Sequence, residues 1–176
     1  MEEGIVSVFG TGRAGAAEPI CKLAYELGKS LAQAGFAIAN GGYGGTMLAA
    51  AKGAREAGGQ VIGVTCSAFK SKPNPYITRQ VVTKSLDERL NTLIDLGQGY
   101  VVLAGGTGTL LELAKVWELK NKGFLTADRP IILVGDFWRP LVELIARDDP
   151  DAARQVKIVK DAQQAVQLLA EDIGLR

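Results

Sequence analysis

The sequence predicts an α/β fold: a Rossmann-like, doubly wound parallel sheet of about six to seven strands with helices on both faces, one domain over residues 1–176. Three observations predict it. Short apolar runs alternate with longer stretches of helical periodicity along the chain. The runs are apolar almost throughout, as parallel strands covered on both faces must be. Glycine-rich turns follow the first, second and fourth runs, leaving backbone N–H groups open to a ligand.

A chain of 176 residues, 47% of them apolar, can bury one sizeable core. Net charge is +1 with acids and bases mixed, which argues against a nucleic-acid-binding face. No apolar run could span a bilayer and no basic N-terminal flank precedes one, so a cytoplasmic protein with no membrane partner is expected. Histidine is absent, which excludes Ser-His-Asp and Cys-His mechanisms and histidine-ligated metals. Cys21 and Cys66 are too few for a cysteine-rich zinc site and read as buried free thiols. No metal is expected, and acid–base chemistry falls to Asp, Glu, Lys, Tyr or Cys.

The first strand is the run at 5–9. Gly10-Thr11-Gly12-Arg13-Ala14-Gly15 then fits G-x-G-x-x-G, a dinucleotide-binding spacing. Two features argue against that ligand. Pro19 starts the helix several residues later, so the glycines precede it instead of opening it. The second strand, 36–39, ends at Asn40, where a ribose-binding acid should stand. Gly10, Thr11 and Gly12 therefore read as a loop touching phosphate or ribose.

The first helix buries Ile20, Leu23, Ala24, Leu27 and Leu31 and stops at Gly35. After the second strand, Gly41-Gly42-Tyr43-Gly44-Gly45-Thr46 has so few side chains that a ligand can approach the backbone. A helix through Met47, Ala50, Ala51 and Ala54 follows, small enough to pack closely on a sheet, and the third strand is 61–65. Residues 67–79, with Pro73, Asn74, Pro75 and Tyr76, read as a loop that either covers a site or simply connects.

Ser85 and Glu88 have capping-box spacing, and the helix they open turns Leu86, Leu90, Leu93 and Ile94 inward. Arg89 flanks that face, and surface ion pairs with Asp87 or Glu88 would also explain it. The fourth strand is 99–103 and the fifth 129–134. Phe137, Trp138, Leu141, Leu144 and Ile145 form the next helix, residues 148–151 a polar break, 156–159 the last strand and 161–172 a closing helix.

The chain is organised around residues 104–112, AGGTGTLLE. A strand leads in, and Leu110, Leu111, Ala114 and Trp117 lead out at helical spacing. Open N–H groups and the positive end of the helix dipole make this turn a site for phosphate or carboxylate. Glu112 lies about one turn into the helix, within reach of whatever the turn holds. The bland alternative is a tight connection with a surface glutamate. The first and fourth strands are neighbours in a doubly wound sheet, so this turn and loop 10–12 meet at the switch point, where such sheets bind ligands.

The stretches GGYGGTM at 41–47, AAAKGAREAGGQVIGVT at 49–65, LDERL at 86–90 and AGGTGTLLE at 104–112 resemble the LONELY GUY family, also labelled lysine decarboxylases. Trp117, Arg129-Pro130 and Trp138 extend the resemblance, which covers roughly residues 5–145. It implies a cytokinin-activating phosphoribohydrolase: a homodimer, without cofactor, that hydrolyses the N-glycosidic bond of a nucleoside 5′-monophosphate to free base and ribose 5-phosphate. By position it implies Arg89 and Glu112 as the catalytic pair. Gly105, Gly106, Thr107, Gly108 and Thr109 would hold the phosphate, with Gly42, Gly44, Gly45 and Thr46 on the opposite wall. The chain departs from the family pattern at Ala104 for proline, Leu111 for the first of two glutamates and Leu90 for lysine, which bears on substrate choice. A related branch resembles molybdenum cofactor carriers, which bind a pterin phosphate and do no chemistry; a non-catalytic carrier is the alternative reading. Decarboxylation is not expected, because Lys52 and Lys115 read as helix-surface lysines and not as Schiff-base residues.

Overall fold

The computed structural model describes residues 4–173. Its strands are β1 (Ile5–Phe9), β2 (Ala37–Asn40), β3 (Val61–Cys66), β4 (Arg79–Thr83), β5 (Gly99–Val102), β6 (Ile131–Val134) and β7 (Val156–Val159). Its helices are α1 (Pro19–Gln33), α2 (Thr46–Glu56), α3 (Leu86–Leu96), α4 (Thr107–Asn121), α5 (Arg139–Ala146), α6 (Pro150–Ala153) and α7 (Ala162–Ile173). The seven strands form one sheet in the order β4-β3-β2-β1-β5-β6-β7, every pair parallel. The chain winds outward from β1 to β4 and returns to β5 on the other side of β1, so the switch point lies between β1 and β5.

The two-residue period of the strands divides the core between two faces. Val6 and Val8 of β1 point to the face covered by α1, α2 and α7. Phe9 points to the other, covered by α3 and α4, where it stacks on Tyr100. Small residues join α2 to α1 more closely than to the sheet: a Cβ on Gly28 would strike the Ala50 carbonyl, and one on Gly53 the Tyr25 carbonyl. The small residues of α2 thus serve its contact with α1 as well as its packing on the sheet, where Ala50, Ala51 and Ala54 share a core with Val6, Ile38 and Val61.

Four differences from the sequence reading have local causes. The edge strand β4 follows the expected loop; Arg79, Gln80 and Val82 are exposed, so it has no apolar run to announce it. Leu86 points outward, 48% exposed, because it opens α3 before the buried face begins. Ser85 Oγ accepts from Glu88 N at 3.1 Å, but the Glu88 carboxylate accepts from Lys84 N at 2.7 Å, one residue beyond a reciprocal capping box. The polar break contains α6, capped by Asp149 Oδ1 accepting from Ala152 N at 2.9 Å. Among the described residues no helix is long and apolar enough to cross a membrane.

Candidate functional site

A cleft of about 460 Å³ opens at the switch point, over the C-terminal ends of the central strands. One wall is the start of α4. Gly106 is its N-cap residue, and the first helical bond is Leu110 N to the Gly106 carbonyl at 2.9 Å, so the N–H groups of the preceding turn have no helical acceptor. Thr107, Gly108 and Thr109 line the cleft with Gly106. A Cβ on Gly106 or Gly108 would meet no protein atom within 4 Å, so the protein's own packing does not demand glycine at either position. The room beside them suits an anion held by the helix N-terminus.

Gly10, Thr11, Gly12 and Arg13 form the next part of the wall, at the end of β1. The Thr11 carbonyl accepts from both Thr46 N at 2.9 Å and Thr46 Oγ1 at 3.1 Å, fastening this loop to the start of α2. Gly45 has φ of 62° and lies against the same loop, where a side chain would strike the Thr11 carbonyl. Thr46, Gly42, Gly44 and Gly45 are not among the residues lining this cleft, and Gly105 lines an adjoining depression together with Thr11 and Arg13. Gly42 packs towards Thr65 and Ile77, Gly44 faces the Gly12 carbonyl and Gly105 abuts Thr109. They hold the loops in place.

Arg89 and Glu112 do line the cleft together. Arg89 is only 8% exposed, and no surface ion pair explains it. Its Nε donates to the Val64 carbonyl at 2.8 Å, and its guanidinium carbon stands 5.6 Å from the ring centroids of both Tyr43 and Phe69. Nη1 has no acceptor among the described residues, which leaves donors for a ligand. Glu112 projects from the second turn of α4, half-buried. Burial pushes its carboxyl up to about 7, while the nearby Arg89 charge pulls it down. The two do not close a salt bridge, so each remains available to a substrate.

Tyr43, Met47, Phe69 and Arg13 also line the cleft and were not singled out from sequence. Tyr43 carried a signal, as one aromatic ring set among four glycines. Phe69 had none, because it lies in the irregular stretch between β3 and β4. With Arg13 and Arg89 against Glu112, the cleft carries more cationic than anionic groups, which favours an anionic ligand.

Fold and site together define a doubly wound α/β protein whose switch point carries an open helix N-terminus, a buried Arg89 and a half-buried Glu112. A family model described as the SLOG cluster4 family matches residues 3–166, and the chain belongs to that family, as its LONELY GUY motifs indicated. It is 33% identical over 123 residues to a cytokinin riboside 5′-monophosphate phosphoribohydrolase of Mycobacterium tuberculosis, covering 68% of this chain and 64% of that protein, less than two thirds of its length. Among solved structures it is similar to the molybdenum cofactor carrier protein of Chlamydomonas reinhardtii, with a TM-score of 0.80 and 29% identity over 98% of this chain and 99% of the other. The molybdenum cofactor binding protein of Rippkaea orientalis gives 0.81 and 28% over the same shares.

Proposed function

We propose that the protein is a phosphoribohydrolase of nucleoside 5′-monophosphates, of the cytokinin-activating type. The observation that carries this reading is that one cleft is lined by the α4 N-terminus, Glu112, Arg89 and the aromatic pair Tyr43–Phe69, groups whose chemistry suits the phosphate, ribose and base of a nucleotide.

Breaking the C1′–N bond builds positive charge on the ribose, as in glycoside hydrolysis. The Glu112 carboxylate stabilises that charge and takes a proton from the attacking water. Water oxygen bonds to C1′, the C1′–N electron pair leaves with the base, and the base takes up a proton from solvent while Glu112 releases to solvent the one it took from the water. Arg89, beside the aromatic rings, donates to the departing base and spreads its negative charge. Binding of the phosphate at α4 fixes the reacting bond against Glu112. A homodimer, implied by the resemblance, and a cytoplasmic setting, expected from the sequence, belong to the same proposal.

The second reading is a carrier of a phosphorylated heterocycle without turnover. It is favoured by full-length similarity to the two molybdenum cofactor proteins and by Ala104 and Leu111 at motif positions. The purified protein, incubated with a panel of nucleoside monophosphates that includes the adenosine and N6-isopentenyladenosine forms, is expected to release ribose 5-phosphate detectable by mass spectrometry. Absence of release, with a thermal shift from those ligands or from a pterin phosphate, would replace the hydrolase with the carrier.

A further inference from the structure

We infer that Phe69 is the platform on which a planar heteroaromatic group of the ligand stacks, and that it sets the preference of this site for ligands carrying such a ring. The inference rests on the reading above only in placing a phosphate at α4; it holds for hydrolase and carrier alike. Phe69 is 40% exposed although it lines the cleft, so part of an apolar ring stands open among backbone and charged groups. Its neighbour Tyr43 is fixed: the hydroxyl donates to the Cys66 carbonyl at 3.2 Å and accepts from Cys66 N at 2.9 Å. The two rings lie 5.8 Å apart at 46°. They form one tilted aromatic corner, of which Phe69 is the open side.

The segment carrying Phe69 is anchored at several points. Ser67 N donates to the Thr83 carbonyl at 2.9 Å and Phe69 N to the Cys66 carbonyl at 3.0 Å. Further along, buried Asn74 donates from N to the Gly42 carbonyl at 2.8 Å and from Nδ2 to the Tyr43 carbonyl at 3.1 Å. A ligand therefore meets a ring whose backbone is already placed, and stacking costs little ordering. The Arg89 guanidinium beside both rings specifies the kind of group. An alkyl chain there would strip water from a cation and give nothing back. A heterocycle covers the Phe69 face and presents ring nitrogen or oxygen acceptors to Arg89.

Position along the sheet agrees. Phe69 follows β3 and the anion site follows β5, with β2 and β1 between them. Three strand spacings are roughly 14 Å, so ring and phosphate bind at opposite ends of the cleft.

The test is calorimetric titration of AMP, GMP and ribose 5-phosphate into Glu112→Gln protein, which keeps the ligands from being consumed, with and without Phe69→Ala or Phe69→Trp. Phe69 intact, the nucleotides are expected to bind more tightly than ribose 5-phosphate. Phe69→Ala should weaken them roughly tenfold or more, leave ribose 5-phosphate unchanged, and be rescued by Phe69→Trp. Nucleotides binding no better than ribose 5-phosphate, or all ligands weakening together in Phe69→Ala, would overturn the platform. Nucleotide binding that depends on Phe69, with no ribose 5-phosphate released by the wild-type protein, would remove the hydrolase and leave the platform standing. Binding of neither class would overturn both.

Discussion

Gly41 leaves the space that the Arg89 guanidinium occupies: a Cβ there would run into Arg89 Nη2 and come within 2.6 Å of Met47 Sδ. From the other side the Arg89 Nε is held by the Val64 carbonyl at 2.8 Å. The guanidinium is confined between a residue without a side chain and a fixed acceptor, so Gly41→Ala must push it aside. Turnover is expected to fall roughly 10- to 100-fold, as for other misplaced catalytic groups. The melting temperature should drop by only about 2–8 °C, since a flexible side-chain end absorbs part of the strain. Steady-state kinetics beside thermal melting checks this. Full turnover in Gly41→Ala would show that the placement of Arg89 does not matter to the reaction.

The Glu112 carboxyl, raised by burial to about 7, sets a pH profile. Its proposed role needs the ionised form. The rate should therefore climb as pH rises through about 7 and level off above it. Glu112→Gln should lose turnover and its pH dependence while keeping nucleotide affinity within a few-fold. A wild-type rate that falls as pH rises through 7 would make Glu112 the proton donor instead.

Most of this architecture was legible because apolar runs and helical periods report burial directly. Val6, Ile38, Val101 and Ile132 are inaccessible to solvent, and their runs read as strands. β4 did not, because an edge strand leaves Arg79, Gln80 and Val82 in water and so imposes no pattern. The site divided in the same way. Glu112 and the α4 turn were readable because a glycine-rich turn into a helix has its own chemistry. Arg89 could be identified only through family resemblance, since its burial depends on Gly41 and Val64, both remote in sequence. The neighbours of Gly42 and Gly45, Thr65 and the Thr11 carbonyl, were not legible, because composition cannot distinguish a glycine that admits a ligand from one that admits another loop.

Glu112 also links function to stability. Its pKa is higher folded than unfolded, so the folded protein binds more protons between pH 4.5 and about 7. The contribution is fully present below the unfolded value and is lost as pH rises through the folded one. Glutamine has no such titration. Glu112→Gln should therefore match the wild type near pH 4 and exceed it above pH 7 by on the order of 1–3 kcal/mol. Urea unfolding at both pH values measures the difference. A difference independent of pH would mean that Glu112 is not desolvated in the folded protein.

Two glycines three residues apart in the anion-site turn should respond in opposite ways. A Cβ on Gly105 would collide with Thr109, itself 3% exposed, coming within 3.0 Å of Cγ2 and closer still to Cβ and Oγ1. Gly105→Ala should cost about 1–3 kcal/mol of stability, the usual range for overpacking. A Cβ on Gly108 meets no protein atom, and Gly108 lies in the first turn of α4. Alanine there favours helix by up to about 1 kcal/mol, so the melting temperature should hold or rise slightly. Its methyl group would stand in the cleft that Gly108 lines, where it crowds a bound phosphate. Gly108→Ala should thus weaken ribose 5-phosphate and nucleotide binding together, whatever the base, in a protein at least as stable as the wild type. Undiminished affinity for both ligands in Gly108→Ala would move the anion away from the α4 N-terminus and remove the phosphate site on which the nucleotide reading depends.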